Sequence, residues 1–338
     1  MREKIIILAI ESSCDDTSAA VIENGLVLSN CTATQDIHHQ YGGVIPEVAS
    51  RQHQQNIVVV VQAAIEKSGI DLHEISAVAF TRGPGLLGSL LVGVSFAKSF
   101  ALSLDIPLIE VHHMQAHALA HFATDRIPSF PFLCLTVSGG HTQLVLIKDF
   151  LEMDILGQTL DDAAGEAFDK VGKLLGLPYP AGPLVDKLAK NGLPKFQFPI
   201  AQIPDLNFSF SGFKTAVLYF LQKRVSENKD FITENIEDIC ASVQKTIIDT
   251  LMLKLNAAVQ LYPTDDIAIA GGVSANSGLR YAFEEYGNKI GKRTFIPPFE
   301  YCTDNAAMIG ITGYYKYLNH QFASLEISPD PRLSITTF

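Results

Sequence analysis

The first hundred residues read as short apolar runs separated by polar turns. IIILAI (residues 5–10) has the length and β-branched content of a buried strand. ESSCDDT follows as a polar turn, and SAAVIENGLVLSN resumes as strand, Asn-Gly turn, strand. Residues 44–68 change to helical spacing, with Pro46 near the start and Gly69 as the stop. ISAVAFTRGPG predicts a strand entering a glycine turn. Residues 86–104 predict a helix, IPLIEVHH a strand, and residues 113–122 a further helix.

The pattern then starts again. FLCLTVSGGHTQLVLI (132–147) is strand, Gly-Gly turn, strand, the same arrangement as IIILAIESSCDDTSAAVI (5–22) with little identity between them. This points to an internal duplication. Residues 160–262 are helical in character, through LDDAAGEAFDKVGKLLGL, the rigid YPAGP turn and LVDKLAKNG. FPIAQIPDLNFSFSGFKTAV is loop-like and aromatic before it turns helical, and 234–261 is one amphipathic stretch. DDIAIAGGVSANSGLRYAFEEYG (265–287) predicts strand, glycine loop, helix. TDNAAMIGITGYYKYL precedes an irregular end. With no long linker or low-complexity segment, the expectation is two lobes sharing a cleft.

Composition narrows this. The chain has 338 residues, 47% hydrophobic and 18% charged, enough for a large core. GLLGSLLVGVSFAKSFALSL (85–104) is about one membrane span long, but Lys98 and four serines favour a buried helix packed through small residues, and no membrane is expected. The apolar run after MREK is too short for a signal peptide and lacks a small-residue cleavage site. Five scattered cysteines with no C-x-x-C pair argue for a reducing compartment, hence a cytoplasmic location. A net charge of −11 argues against non-specific nucleic-acid binding, so such a partner needs a local basic patch or a second protein. Arg51, His53 and Lys214 could form such a contact, although each also reads as an ordinary helix-surface residue.

VHHMQAHALAHF (111–122) holds four of the ten histidines. His113, His117 and His121 fall four apart on one helical face; His112 does not. Two imidazoles so spaced can grip one divalent ion, and helical histidines are also often simply hydrogen-bonded; spacing alone leaves both open. Met114 stands where a zinc peptidase of the H-E-x-x-H type needs its glutamate base. Asp304, in a polar turn before a small-residue helix, is a candidate third ligand, and two histidines with one carboxylate suit iron or zinc. The loops at Ser138-Gly139-Gly140 and Gly271-Gly272 let backbone N–H groups approach a phosphate, or are plain turns. Neither matches a P-loop or a dinucleotide fingerprint.

ESSCDDTSAA, IPEVASRQH, RGPGLLGSLLVG, HHMQAHALA, VSGGHTQLV, GEAFDKVGKLLGL, YPAGP, FSFSGFKTA, AGGVSAN and TDNAAMI run in order from residue 11 to 309. Together they closely resemble the TsaD family. The resemblance implies an α/β, actin-like ATPase fold (sugar kinase, heat-shock protein, actin) of two duplicated lobes around a nucleotide cleft. We set the lobes at 1–112 plus 305–328, and 113–304. It implies an acyltransferase that moves the L-threonylcarbamoyl group from threonylcarbamoyl-AMP to the N6 amine of the adenosine beside the anticodon in tRNAs reading ANN codons, releasing AMP. Carried over by position, His113, His117 and Asp304 would hold one divalent metal, Fe(2+) by family habit, with Zn(2+) as the alternative. Thr136, Val137, Ser138, Gly139 and Gly140 would cradle the phosphate and carbamoyl end, and Asp169, Gly182, Asp186 and Asn276 the rest of the adenylate. Glu11 would be a second-sphere or catalytic acid. TsaB-like and TsaE-like proteins are the implied partners, with a TsaC-type synthase supplying the substrate. The chain departs from the family habit at Gln115, often Glu, and at Ala181, often Gly. The rival readings are a small-molecule kinase of the same fold, a metallopeptidase, and a non-catalytic binding lobe.

Overall fold

The structure, a computed structural model, describes residues 4–335. The chain divides into two compact units. The first takes the chain up to Ile127, the short segment Lys148–Met153 and the chain from Pro297 onward; the second takes Pro128–Ile147 and Asp154–Ile296.

In the first unit, β1 (Ile6–Glu11), β2 (Asp16–Glu23), β3 (Leu26–Thr34), β4 (Ala77–Gly83) and β5 (Leu108–His112) form one sheet in the order β3-β2-β1-β4-β5. β1 pairs antiparallel with β2 and parallel with β4. All six residues of β1 are buried, which is why its sequence is an unbroken apolar run rather than an alternation. Asn24 and Gly25 take positive φ at the β2–β3 turn, as the Asn-Gly pair predicts. α1 (Pro46–Ser68) and α2 (Leu87–Leu104) supply Ile57, Val60, Val61, Val94 and Ala97 to a core with Ile6, Leu8, Ile10 and Phe80. α2 is long and apolar enough to cross a membrane by length and composition alone; in the fold it packs against α1 and β4. α3 (His113–Leu119) and α9 (Ala306–Leu318) pack against each other, and α9 also lies on the sheet.

The second unit repeats the plan. β6 (Phe132–Val137), β7 (Thr142–Asp149), β8 (Glu152–Gln158), β9 (Asp266–Ala270) and β10 (Arg293–Phe295) lie in the order β10-β9-β6-β7-β8. Taken in chain order within each unit, strands one to five occupy the same places in both sheets, and in both the first strand is antiparallel to the second and parallel to the fourth. The duplication read from two weakly similar strand pairs is thus present in the topology. α4 (Ala164–Leu174), α5 (Gly182–Ala189), α6 (Ser211–Glu227), α7 (Phe231–Leu261) and α8 (Ser277–Ile290) complete the unit. Its core joins Leu133, Leu135 and Leu144 of the sheet to Phe168, Val171, Ile247 and Leu251 of the helices.

The units divide the chain differently from the sequence expectation. Residues 113–127 and 297–304 fall with the first unit, because α3 packs on α9 and the turn carrying Asp304 leads directly into α9.

Candidate metal centre and candidate nucleotide pocket

β5 runs straight into α3, and the change of backbone at His112 and His113 puts successive turns of α3 inside the first unit. All seven residues of α3 are buried. His113 and His117, one turn apart, stand with their rings edge to face at 4.6 Å. Asp304 comes from the turn before α9, whose Asn305 caps the helix by accepting the N–H of Met308. Asp304 Oδ1 lies 3.1 Å from His117 Nε2 and 3.4 Å from His113 Nε2. Among the described residues, these three form a group whose ligand atoms all lie within 4.8 Å of one another. His121, although on the same helical spacing, is not among them.

Glu11, at the end of β1, completes the arrangement. Its carboxylate is wholly buried; Oε2 accepts from Thr81 Oγ1 at 2.6 Å and lies 3.0 Å from His113 Nδ1, while Oε1 accepts the N–H of Ser13. A carboxylate only accepts at neutral pH, so His113 carries its proton on Nδ1. The lone pair of Nε2 in the neutral ring then faces a carboxylate oxygen 3.4 Å away. Two carboxylates against two imidazoles call for positive charge at that point. Burial pushes His113 toward the neutral form, but Asp304 and Glu11 outweigh it and hold the ring well above its ordinary pKa. Burial likewise pushes Asp304 up, and His113 and His117 bring it well below the usual carboxylate range. His117 is shifted down, chiefly by burial, and so keeps a neutral nitrogen suited to a metal. Its Nδ1 is buried without a partner, so of the two rings only His113 has its far nitrogen tied to a carboxylate. The donor set therefore fits a divalent ion of the iron or zinc type.

The second unit holds a pocket of about 320 Å³. Gly139, Asp169, Gly182, Asp186 and Asn276 line it, all marked by the sequence. Thr136 and Val137 are buried in β6 and are not on its wall, and Ser138 and Gly140 flank Gly139 without lining it. Gly272, from the Gly271-Gly272 loop expected to approach a phosphate, is also a wall; Phe168, Tyr179, Pro180 and Val273 are walls not singled out from the sequence, with the GEAFDKVGKLLGL, YPAGP and AGGVSAN motifs as the available signals. Asp169 Oδ1 accepts the N–H groups of Ala181 (2.8 Å) and Gly182 (3.3 Å), so it ties α4 to the start of α5. Burial raises the Asp169 carboxyl. Asp186 accepts from Ser277 at 2.7 Å. Asn276 caps α8 through Leu279 N–H and donates to Gln244, leaving one amide hydrogen for a ligand. Gly271 has φ +84°, and a Cβ there would lie 2.5 Å from the Val137 carbonyl. Only glycine lets this loop press against the end of β6. Apolar walls with two carboxylates and exposed loop glycines suit a flat base, hydroxyl groups and an anionic end.

Elsewhere, His53 is fully buried between Thr17 and the Cys14 carbonyl, which makes it a structural residue rather than a surface contact. Arg51 is exposed and paired with Glu47.

The family model described as "TsaD: tRNA N6-adenosine threonylcarbamoyltransferase" matches residues 26–311. The chain belongs to the TsaD family. It is 59% identical over 334 residues to the tRNA N6-adenosine threonylcarbamoyltransferase of Christiangramia forsetii, covering 98% of each chain, and 57% identical to that of Cytophaga hutchinsonii, covering 98% of this chain and 97% of the other. Among solved structures, it resembles component A of the Acidaminococcus fermentans (R)-2-hydroxyglutaryl-CoA dehydratase, with TM-score 0.54, 14% identity, and 93% of this chain and 99% of that chain covered. It resembles the Thermus thermophilus ROK hexokinase to the same degree, with TM-score 0.54, 12% identity, and 93% and 100% covered. Such identities speak for the fold alone: the TsaD chain has the actin-like ATPase fold, α/β with two five-stranded sheets.

Proposed function

We propose that the chain transfers an L-threonylcarbamoyl group from threonylcarbamoyl-AMP to the N6 amine of the adenosine next to the anticodon in tRNAs reading ANN codons, releasing AMP. Family membership over nearly the whole chain carries this reading. The geometry is consistent with it. In the pocket, Phe168, Tyr179 and Val273 would hold the adenine, Asp169 and Asp186 the ribose hydroxyls, and the loops at Gly139 and Gly272 the phosphate.

The donor is already activated as a mixed anhydride. Transfer forms the N6–carbon bond, breaks the carbon–oxygen bond to phosphate, and releases one N6 proton to the departing phosphate or to solvent, so the protein's task is orientation and charge stabilisation. His113, His117 and Asp304 would hold the ion, iron by family habit or zinc. When bound, it supplies Lewis-acid polarisation of substrate oxygens. Glu11, enclosed by Ser13, Thr81 and His113, serves to orient His113 rather than to deliver a proton. An acidic chain needs help to hold tRNA, and TsaB-like and TsaE-like proteins would give it, with a TsaC-type synthase supplying the adenylate in the cytoplasm.

The test is reconstitution with tRNA, threonine, bicarbonate, ATP, synthase and partners, followed by nucleoside mass spectrometry. Threonylcarbamoylated adenosine that depends on this chain supports the reading. Unmodified tRNA, together with ADP formed from ATP and a sugar, would move the function to a kinase.

A further inference from the structure

His112 is the one histidine of the run that the helical spacing leaves unexplained. It is 2% exposed. Its Nδ1 accepts the N–H groups of Met114 (3.1 Å) and Gln115 (3.4 Å), so its imidazole is the N-cap of α3, the helix that carries His113 and His117. Its Nε2 lies 3.0 Å from the carbonyl oxygen of Leu333. A carbonyl only accepts and backbone N–H groups only donate. The ring is therefore fixed with its proton on Nε2 and a bare Nδ1.

Leu333 belongs to a C-terminal segment tied along the strand ends of the same unit. Ala323 N–H donates to Leu108 O (2.7 Å), Asp330 N–H to Arg82 O (2.9 Å) and Gly85 N–H to Pro331 O (3.2 Å). Arg82 Nε donates to Ser328 O, and Lys98 Nζ to Ile327 O. At Gly83 a Cβ would fall 1.8 Å from the Asp330 carbonyl, so the segment passes where only glycine leaves room. Leu333 and Ile335 are themselves buried. The segment is thus fastened at several points before it reaches His112.

We propose that His112 is a positioning residue for the metal ligands, and that the C-terminal segment is its other half. Leu333 O selects the tautomer of His112, the bare Nδ1 holds the first turn of α3, and that turn sets where His113 and His117 present their nitrogens. The proposal rests on the reading of His113, His117 and Asp304 as a metal site.

Cobalt(II), titrated into the purified full-length chain and followed by its visible absorption, separates the two. Parental protein that gives no cobalt spectrum overturns the site reading itself, and the positioning proposal with it. With parental binding in hand, His112→Ala is expected to weaken cobalt affinity about tenfold or more, as loss of an outer ligand partner does. His112→Asn, whose side-chain oxygen can cap a helix, is expected to keep most of that affinity. Leu333→Asp, which cannot stay buried, is expected to weaken it as His112→Ala does. Parental affinity in His112→Ala, or an equal loss in His112→Asn, overturns the capping route. Parental affinity in Leu333→Asp overturns the part given to the C-terminal segment. A purely structural role would lower the melting temperature and leave the cobalt titration unchanged; His112→Asn and Leu333→Asp keep the test open if His112→Ala fails to fold.

Discussion

Glu11 shows how a residue's surroundings settle its work. A buried carboxylate without partners would be raised in pKa and could act as an acid. Burial pushes Glu11 up, but the His113 charge and hydrogen bond offset this and bring it below its ordinary value. Glu11→Gln keeps the shape and loses the charge behind His113, so metal affinity is expected to fall by about 10–100-fold with little change in fold, measured by metal titration. The adjacent glycines of the second unit make a contrasting pair. Gly271→Ala meets both positive φ and the Val137 carbonyl, and should cost about 1–3 kcal/mol in thermal or urea unfolding. Gly272 has nothing within 4 Å of a built Cβ but lines the pocket, so Gly272→Ala should leave stability within about 0.5 kcal/mol and weaken AMP binding in calorimetry.

At the scale of elements, the strands with unbroken apolar runs and the helices with clear stops were legible: β1, β2, α1 with Gly69 as its stop, and α8 after AGGVSAN. β8 and β10 were not. EMDILGQ is half-exposed and mixed in pattern, and RTF is only three residues long, so neither carries a local signal; both exist because neighbouring strands offer them an edge. The histidine pair of the candidate metal centre was visible because one helix carries both at i and i+4. The pocket walls at Phe168 and Tyr179 were not, since they depend on α4 and the turn before α5 coming together. α9 adds a charge that its apolar sequence hides. Lys316 is 3% exposed and donates to Glu110 O at 2.8 Å, and burial lowers its pKa from 10.5 to about 8. Below pH 8 both folded and unfolded chains hold this proton, and burying the charge costs stability. Between about 8 and 10.5 the unfolded chain binds more protons, so this group's contribution to stability rises with pH. Lys316→Met should remove that rise, seen by comparing urea midpoints of parent and variant across pH 8–10.

At the scale of the molecule, two sheets with one strand order, read against very little internal identity, show that the repeated feature is the burial pattern rather than the residues. The two units carry different chemistry: histidines and acids in the first, a glycine-walled pocket in the second. The net charge of −11 bears on the substrate. By itself the chain is expected to bind tRNA no better than the non-specific range, about 10⁻⁴–10⁻⁶ M at physiological salt, and to gain affinity when partner proteins are added. Filter binding checks this; tight binding by the isolated chain would show a basic face strong enough to act alone.

The central claim is that one ion held by His113, His117 and Asp304 is required for transfer. Its most direct test is the rate of threonylcarbamoyl transfer to tRNA by His117→Ala under metal saturation, with circular dichroism confirming that the variant is folded. The account predicts a rate at least about 100-fold below the parent, the scale seen when a charge-stabilising group is lost from a reaction site. A folded His117→Ala protein that modifies tRNA at the parental rate would contradict it.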